Sequence, residues 1–95
     1  MIEIMSFRLA PEADEEAFLA ADRLVQSDFA YHQPGLLRRT TARSADGAWV
    51  VIDLWRSESD ADATAVLWGG EASTSTFMSF VDPTTVRTER YTTLD

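Results

Sequence analysis

The stretch Ala48-Trp49-Val50-Val51-Ile52-Asp53-Leu54-Trp55-Arg56 constrains this chain more than any other. A strand at the protein surface alternates apolar and polar residues, whereas this one is apolar on both faces and needs cover on both. Ala45-Asp46-Gly47 precedes it, and Asp-Gly is a favoured pair where a hairpin requires positive φ. The strand on the other side of that turn, residues ~36–44 (LLRRTTARS), is more polar.

A first strand is predicted over about 2–9, with Ile2 and Ile4 on one face and Met5, Phe7 and Leu9 on the other. A helix follows, capped by Asp14 with Glu15 and Glu16 in its first turn. Its helical spacing runs through Phe18, Ala21, Leu24, Val25 and Asp28/Phe29, with Asp22, Arg23 and Gln26 assigned to the opposite side. Pro34 and Gly35 end it. Ser57 and Asp60 form a capping box for a second helix that Gly69-Gly70 closes. A shorter helical piece carries Phe77, Phe80 and Val81 to Asp82-Pro83, and a last strand covers about 84–92 (TTVRTERYT).

The order βαββαβ, with right-handed crossovers and the two polar strands at the edges, predicts a ferredoxin-like α+β fold. Residues 1–95 form one domain, and its four-stranded antiparallel sheet has order 4-1-3-2. Both main helices then lie on one face of the sheet. Val50, Ile52 and Leu54 are expected beneath them. Trp49, Val51, Asp53 and Trp55 are expected on the open face, where two tryptophans form too large a patch to stay wet. A homodimer through that open face is expected to cover it, with an enclosed space between two sheets.

Composition narrows the partners. Sixteen acids against eight arginines, with no lysine, give net charge −8. Such a surface repels nucleic acid and anionic membranes. Cysteine is absent, which removes thiolate metal sites and cysteine nucleophiles. The N-terminal residues do not read as a secretory signal and no apolar run reaches membrane-span length, so a cytoplasmic protein is expected. One histidine and dispersed acids make no metal cluster, no phosphate loop is present, and no cofactor is expected.

Asp53-Leu54-Trp55-Arg56-Ser57 is similar to a motif of the antibiotic biosynthesis monooxygenase-like (ABM) family of dimeric α+β barrels. Phe7 to Pro11, Phe18, Pro34-Gly35 and Phe77/Phe80 also resemble that family's pattern. The resemblance covers nearly the whole chain. It implies the dimeric α+β barrel fold, and an activity among cofactor-independent monooxygenases of polycyclic phenols, haem-degrading monooxygenases, or neither. The family's haem degraders use an Asn in the first strand, a Trp in the second helix and a His beyond it. Ser6, Trp68 and Met78 stand at those places here, and the chain has no Asn, which argues against haem degradation.

Asp53 is the leading catalytic candidate, because aspartate is disfavoured in mid-strand. With a two-residue turn it faces Thr40, with Arg38 diagonal to it. With a three-residue turn it faces Arg39, and either arginine makes a paired structural carboxylate the plain alternative. His32 is the second candidate base, with Tyr31 on a shared pocket rim; the plain alternative is a surface histidine at a helix C-terminus. Trp49, Trp55 and Trp68 are candidates for stacking on a flat aromatic substrate, with Arg38 and Ser6 beside them, and core packing is the competing account.

These residues suggest a cofactor-independent monooxygenase-like protein acting on a small apolar or aromatic compound, in a pocket between helices and sheet of a homodimer. Asp53 or His32 would take a phenolic or α-carbonyl proton, and the carbanion would meet O₂ directly, as the resemblance implies. A non-catalytic binding or interaction module of the same fold is the alternative; an RNA-recognition domain shares the βαββαβ order but not this charge.

Overall fold

A computed structural model describes residues 1–95. The elements are β1 (Ile2–Phe7), α1 (Glu15–Asp28), β2 (Leu36–Arg43), β3 (Trp49–Trp55), α2 (Glu58–Trp68), α3 (Ala72–Ser79) and β4 (Arg87–Tyr91). Short 3₁₀ turns at Ala30–His32 and Pro83–Thr85 join α1 to β2 and lead into β4. The four strands are antiparallel in the order β2-β3-β1-β4, the predicted 4-1-3-2 read from the other edge. The two Thr- and Arg-rich strands are the edges, as their composition requires.

The local signals act as read from the sequence. The Asp14 carboxylate accepts from the Ala17 N–H at the start of α1. Ser57 Oγ accepts from the Asp60 N–H at 3.2 Å and donates to Asp60 Oδ2 at 2.9 Å. The hairpin loop has three residues, with Ser44 and Ala48 paired across it and Gly47 at φ +89°. That length puts Arg39, not Thr40, directly opposite Asp53. Gly35 has φ +85°, and a Cβ there would collide with the Asp60 side chain, so the turn into β2 and the start of α2 are locked together.

The two faces of the sheet are the reverse of the sequence expectation. Trp49, Val51 and Trp55 are each no more than 5% exposed and point at the helices. Trp49 meets Phe18 of α1 edge to face at 5.0 Å, within a core of Phe7, Phe18, Val25, Trp49, Val51, Phe77 and Val81. Val50, Ile52 and Leu54 lie on the open face instead. The physical reason is volume. Alternate residues leave the same strand in opposite directions, and Trp49 with Val51 fills the space among the phenylalanines of α1 and α3, which carries Asp53 and Trp55 to that face as well.

α1 also differs in phase. Leu24 is 51% exposed, while Asp22 is buried beside Phe18, Ala21 and Val25. Trp49→Ala is therefore expected to cost about 3–5 kcal/mol, as a core truncation does. Denaturant unfolding checks it, and a loss under about 1 kcal/mol would contradict a core position.

Candidate functional site

Four residues on the helix-facing side form one charged row across the sheet. Glu3 of β1 pairs with Arg90 of β4 and with Asp53 of β3, and Asp53 pairs with Arg39 of β2. Arg90 Nε donates to Glu3 Oε2 at 2.8 Å and its NH1 to Asp62 of α2 at 2.6 Å. At the other edge Arg39 is 5% exposed and donates to Asp22 Oδ1 at 2.7 Å, which Thr41 Oγ1 also reaches at 3.0 Å. Each arginine is thus engaged with an acid other than Asp53. Asp53 Oδ1 is buried with no hydrogen-bond partner, and so is the indole Nε1 of Trp55 two residues on.

A cavity of about 330 Å³ lies over this row, between the sheet and α2. It exists because the inward stripe of α2 is short: Ala61, Thr64 and Ala65 leave room where longer side chains would fill it, and Trp68 closes the end. Met5, Phe29, Val51, Trp55, Trp68 and Met78 make the wall mostly apolar. Trp68 is wedged edge to face between Phe29 and Phe77, at 5.9 and 6.0 Å. Glu3, Arg39, Asp53, Thr64 and Thr88 are the polar groups in the lining.

Burial is the main cause that pushes the Asp53 carboxyl from its ordinary 3.8 up to about 6; Arg39 pulls it down, and Glu3 and Asp22 push it further up. The expectation of a carboxylate paired to arginine is not met. Arg39 stands opposite Asp53 as the three-residue turn requires, yet its 2.7 Å bond goes to Asp22.

Of the residues singled out in the sequence, Asp53, Trp55 and Trp68 share the cavity. Trp49 packs under Phe18 with the Arg43 guanidinium over its ring, away from this cavity. Tyr31 braces the β2 edge, its hydroxyl accepting from the Arg39 N–H at 3.0 Å and lying 3.3 Å from the Arg39 carbonyl oxygen. His32 is exposed in the 3₁₀ turn and does not line the cavity. Ser6 and Arg38 lie on the open face, opposite Val50 and Leu54 respectively, because strand alternation turns them from the helices. No three His, Asp or Glu side chains cluster to hold a metal ion, and no helix is long and apolar enough to cross a membrane.

Glu3, Asp22 and Thr64 join the site without having been singled out for it. The signal for Asp22 was present: it stands four residues after Phe18 and three before Val25, on the buried stripe.

This chain shares the fold of solved structures described as antibiotic biosynthesis monooxygenases. SnoaB, a cofactor-independent oxygenase from Streptomyces nogalater, superposes with a TM-score of 0.80 at 17% identity, over 99% of this chain and 92% of that one. A candidate antibiotic biosynthesis monooxygenase from Nitrosomonas europaea gives 0.74 at 21% identity, over 99% and 98%. Another candidate, from Chloroflexus aurantiacus, gives 0.72 at 16%, over 99% and 92%. Comparison with protein-family models gives no match, and neither does comparison with curated proteins.

The raised Asp53 carboxyl makes stability depend on pH with a fixed sign. A group whose folded value lies above its unfolded one stabilises most below pH 3.8, and that contribution is lost as pH rises through about 6. The loss is at most about 3 kcal/mol, less where solvent reaches the carboxyl. Asp53→Asn is expected to remove this slope, so that it gains on wild type between pH 4.5 and 7.5 in thermal unfolding. Parallel wild-type and variant curves would show that the carboxyl is not buried uncompensated.

Proposed function

We propose that this protein is a cofactor-independent oxygenase of a small, apolar, ring-bearing compound with an acidic O–H or C–H, with Asp53 as the base. The buried carboxyl without a hydrogen-bond partner, facing an apolar cavity, is the observation that carries this reading. A titration near 6 leaves Asp53 ionised at neutral pH but basic enough to take a proton from a bound carbon acid. At about 330 Å³ the cavity is at the small end of ligand sites, which suits a compound of few rings.

The chemistry balances without a cofactor. Asp53 takes one proton from an activated CH₂, the carbanion passes an electron to O₂, and the radical pair joins as a peroxide. The protonated Asp53 returns its proton to that peroxide. Loss of water then leaves a carbonyl, so that CH₂ and O₂ become C=O and H₂O, with the substrate supplying every electron. Trp55 and Trp68 exclude water from the charged intermediates.

O₂ uptake with anthrone is expected to rise with pH through about 6. Asp53→Asn is expected to lower kcat by about 10²-fold or more, in the range general-base catalysis contributes. Full activity in that variant would remove Asp53 as the base.

The same reading includes a homodimer through the open sheet face. Ile2, Ile4, Val50, Ile52 and Leu54 lie there without a helix above them, flanked by Arg38 at one edge and Glu89 and Tyr91 at the other. A second copy offers the same apolar patch, and a two-fold pairing buries both at once. Light scattering is expected near twice 10.6 kDa, and Ile52→Glu is expected to return the folded monomer. A wild-type monomer at micromolar concentration would contradict the dimer.

A further inference from the structure

Asp53 has a charged neighbour on each side in the sheet, and both neighbours are held by something else. Glu3 on β1 is tied to Arg90 of β4, which also holds Asp62. Arg39 on β2 is tied to Asp22 of α1, with Gln26 3.4 Å from its other terminal nitrogen. From α2, Asp62 holds Arg90 at 2.6 Å with Glu58 4.0 Å away, while Ala61, Thr64 and Ala65 line the cavity beside Asp53 without a charge. Burial raises the Asp53 carboxyl most, and Arg39 is the one cation in the row that opposes it, so the place of that guanidinium matters to Asp53. Cross-strand partners directly opposite each other are close enough to pair, and Arg39 stands directly opposite Asp53.

We propose that Asp22 is a positioning residue: by holding the Arg39 guanidinium against α1, it keeps Arg39 from closing on Asp53 and leaves that carboxyl free to take a proton. The proposal rests on the reading of Asp53 as the base and adds what keeps the base available. Several contacts fix the clamp on both partners. Thr41 Oγ1 donates to the same Asp22 oxygen at 3.0 Å, the Arg39 guanidinium lies over the Phe77 ring at 5.9 Å, and Tyr31 bridges the Arg39 backbone. Without the Asp22 charge, the only carboxylate directly across the sheet from Arg39 is Asp53. A charge-assisted guanidinium–carboxylate pair there would favour the ionised acid and weaken it as a base.

The test follows the Asp53 side-chain carboxyl carbon by NMR through a pH titration, beside the pH profile of O₂ uptake with anthrone. In wild type the midpoint is expected near 6. In Asp22→Asn it is expected to fall to about 4 or lower, with the acid limb of the rate profile moving the same way. Adding Arg39→Gln to Asp22→Asn removes the guanidinium and is expected to bring the midpoint back to 6 or above. Asp22→Glu is expected to keep the wild-type midpoint. An Asp22→Asn midpoint that stays near 6 in the folded protein overturns the proposal, and so does one that falls while the variant's crystal structure keeps Arg39 over Phe77, because the fall then comes from the lost Asp22 charge alone. If the midpoints move as stated while no form consumes O₂, the positioning role stands and the oxygenase reading fails.

Discussion

The Asp22–Arg39 ion pair is the interaction on which the charge arrangement at the centre of the sheet depends. It is almost fully buried, the Arg39 side chain being 2% exposed, so breaking it would strand a charge in the core. It joins α1 to the β2 edge and sets the field at the centre of the sheet. The corresponding Arg90–Glu3–Asp62 group at the β4 edge is more open to solvent and joins that edge to α2. Together they leave one acid, Asp53, unpaired in the middle of a row that crosses all four strands.

The cavity and the core are two halves of one layer. Toward Phe7 and Trp49, phenylalanines from α1 and α3 fill the space between helix and sheet. Toward Asp53 and Trp55, the short residues of α2 do not, and the unfilled volume is the cavity. The indoles of Trp55 and Trp68 bound that volume, which makes the same aromatic residues part of the hydrophobic layer and the wall of a pocket. The fold is shared with the oxygenase SnoaB, and a shared fold by itself carries no activity.

Much of the fold was legible residue by residue. The Asp14 and Ser57/Asp60 caps, the turn at Asp46-Gly47, the polar edges and the two-sided β3 all act locally, so they could be read without the tertiary structure. The site was legible in part. Asp53 stood out because a carboxylate in mid-strand opposes its own propensity, and Trp55 and Trp68 share its cavity. His32 stood out by residue type, Arg38 by the two-residue-turn register and Ser6 by the family resemblance, and the structure sets all three apart from that cavity. The charge of Asp22 points to solvent and its helical spacing to the buried stripe, and the fold follows the spacing because Arg39 neutralises the charge there.

The sequence by itself determined the elements, their order and which strands are edges, because those follow from periodicity, capping and handedness along the chain. It could not decide which face of β3 meets the helices, since both are apolar and alternation fixes only that the two sets separate. Packing decided that: Trp49 and Val51 join the aromatic core offered by α1 and α3, and alternation then carries Asp53 and Trp55 to the same face. Only the tertiary structure could then decide that Arg39 pairs with Asp22 rather than Asp53, because α1 must first dock for the competing carboxylate to be within reach.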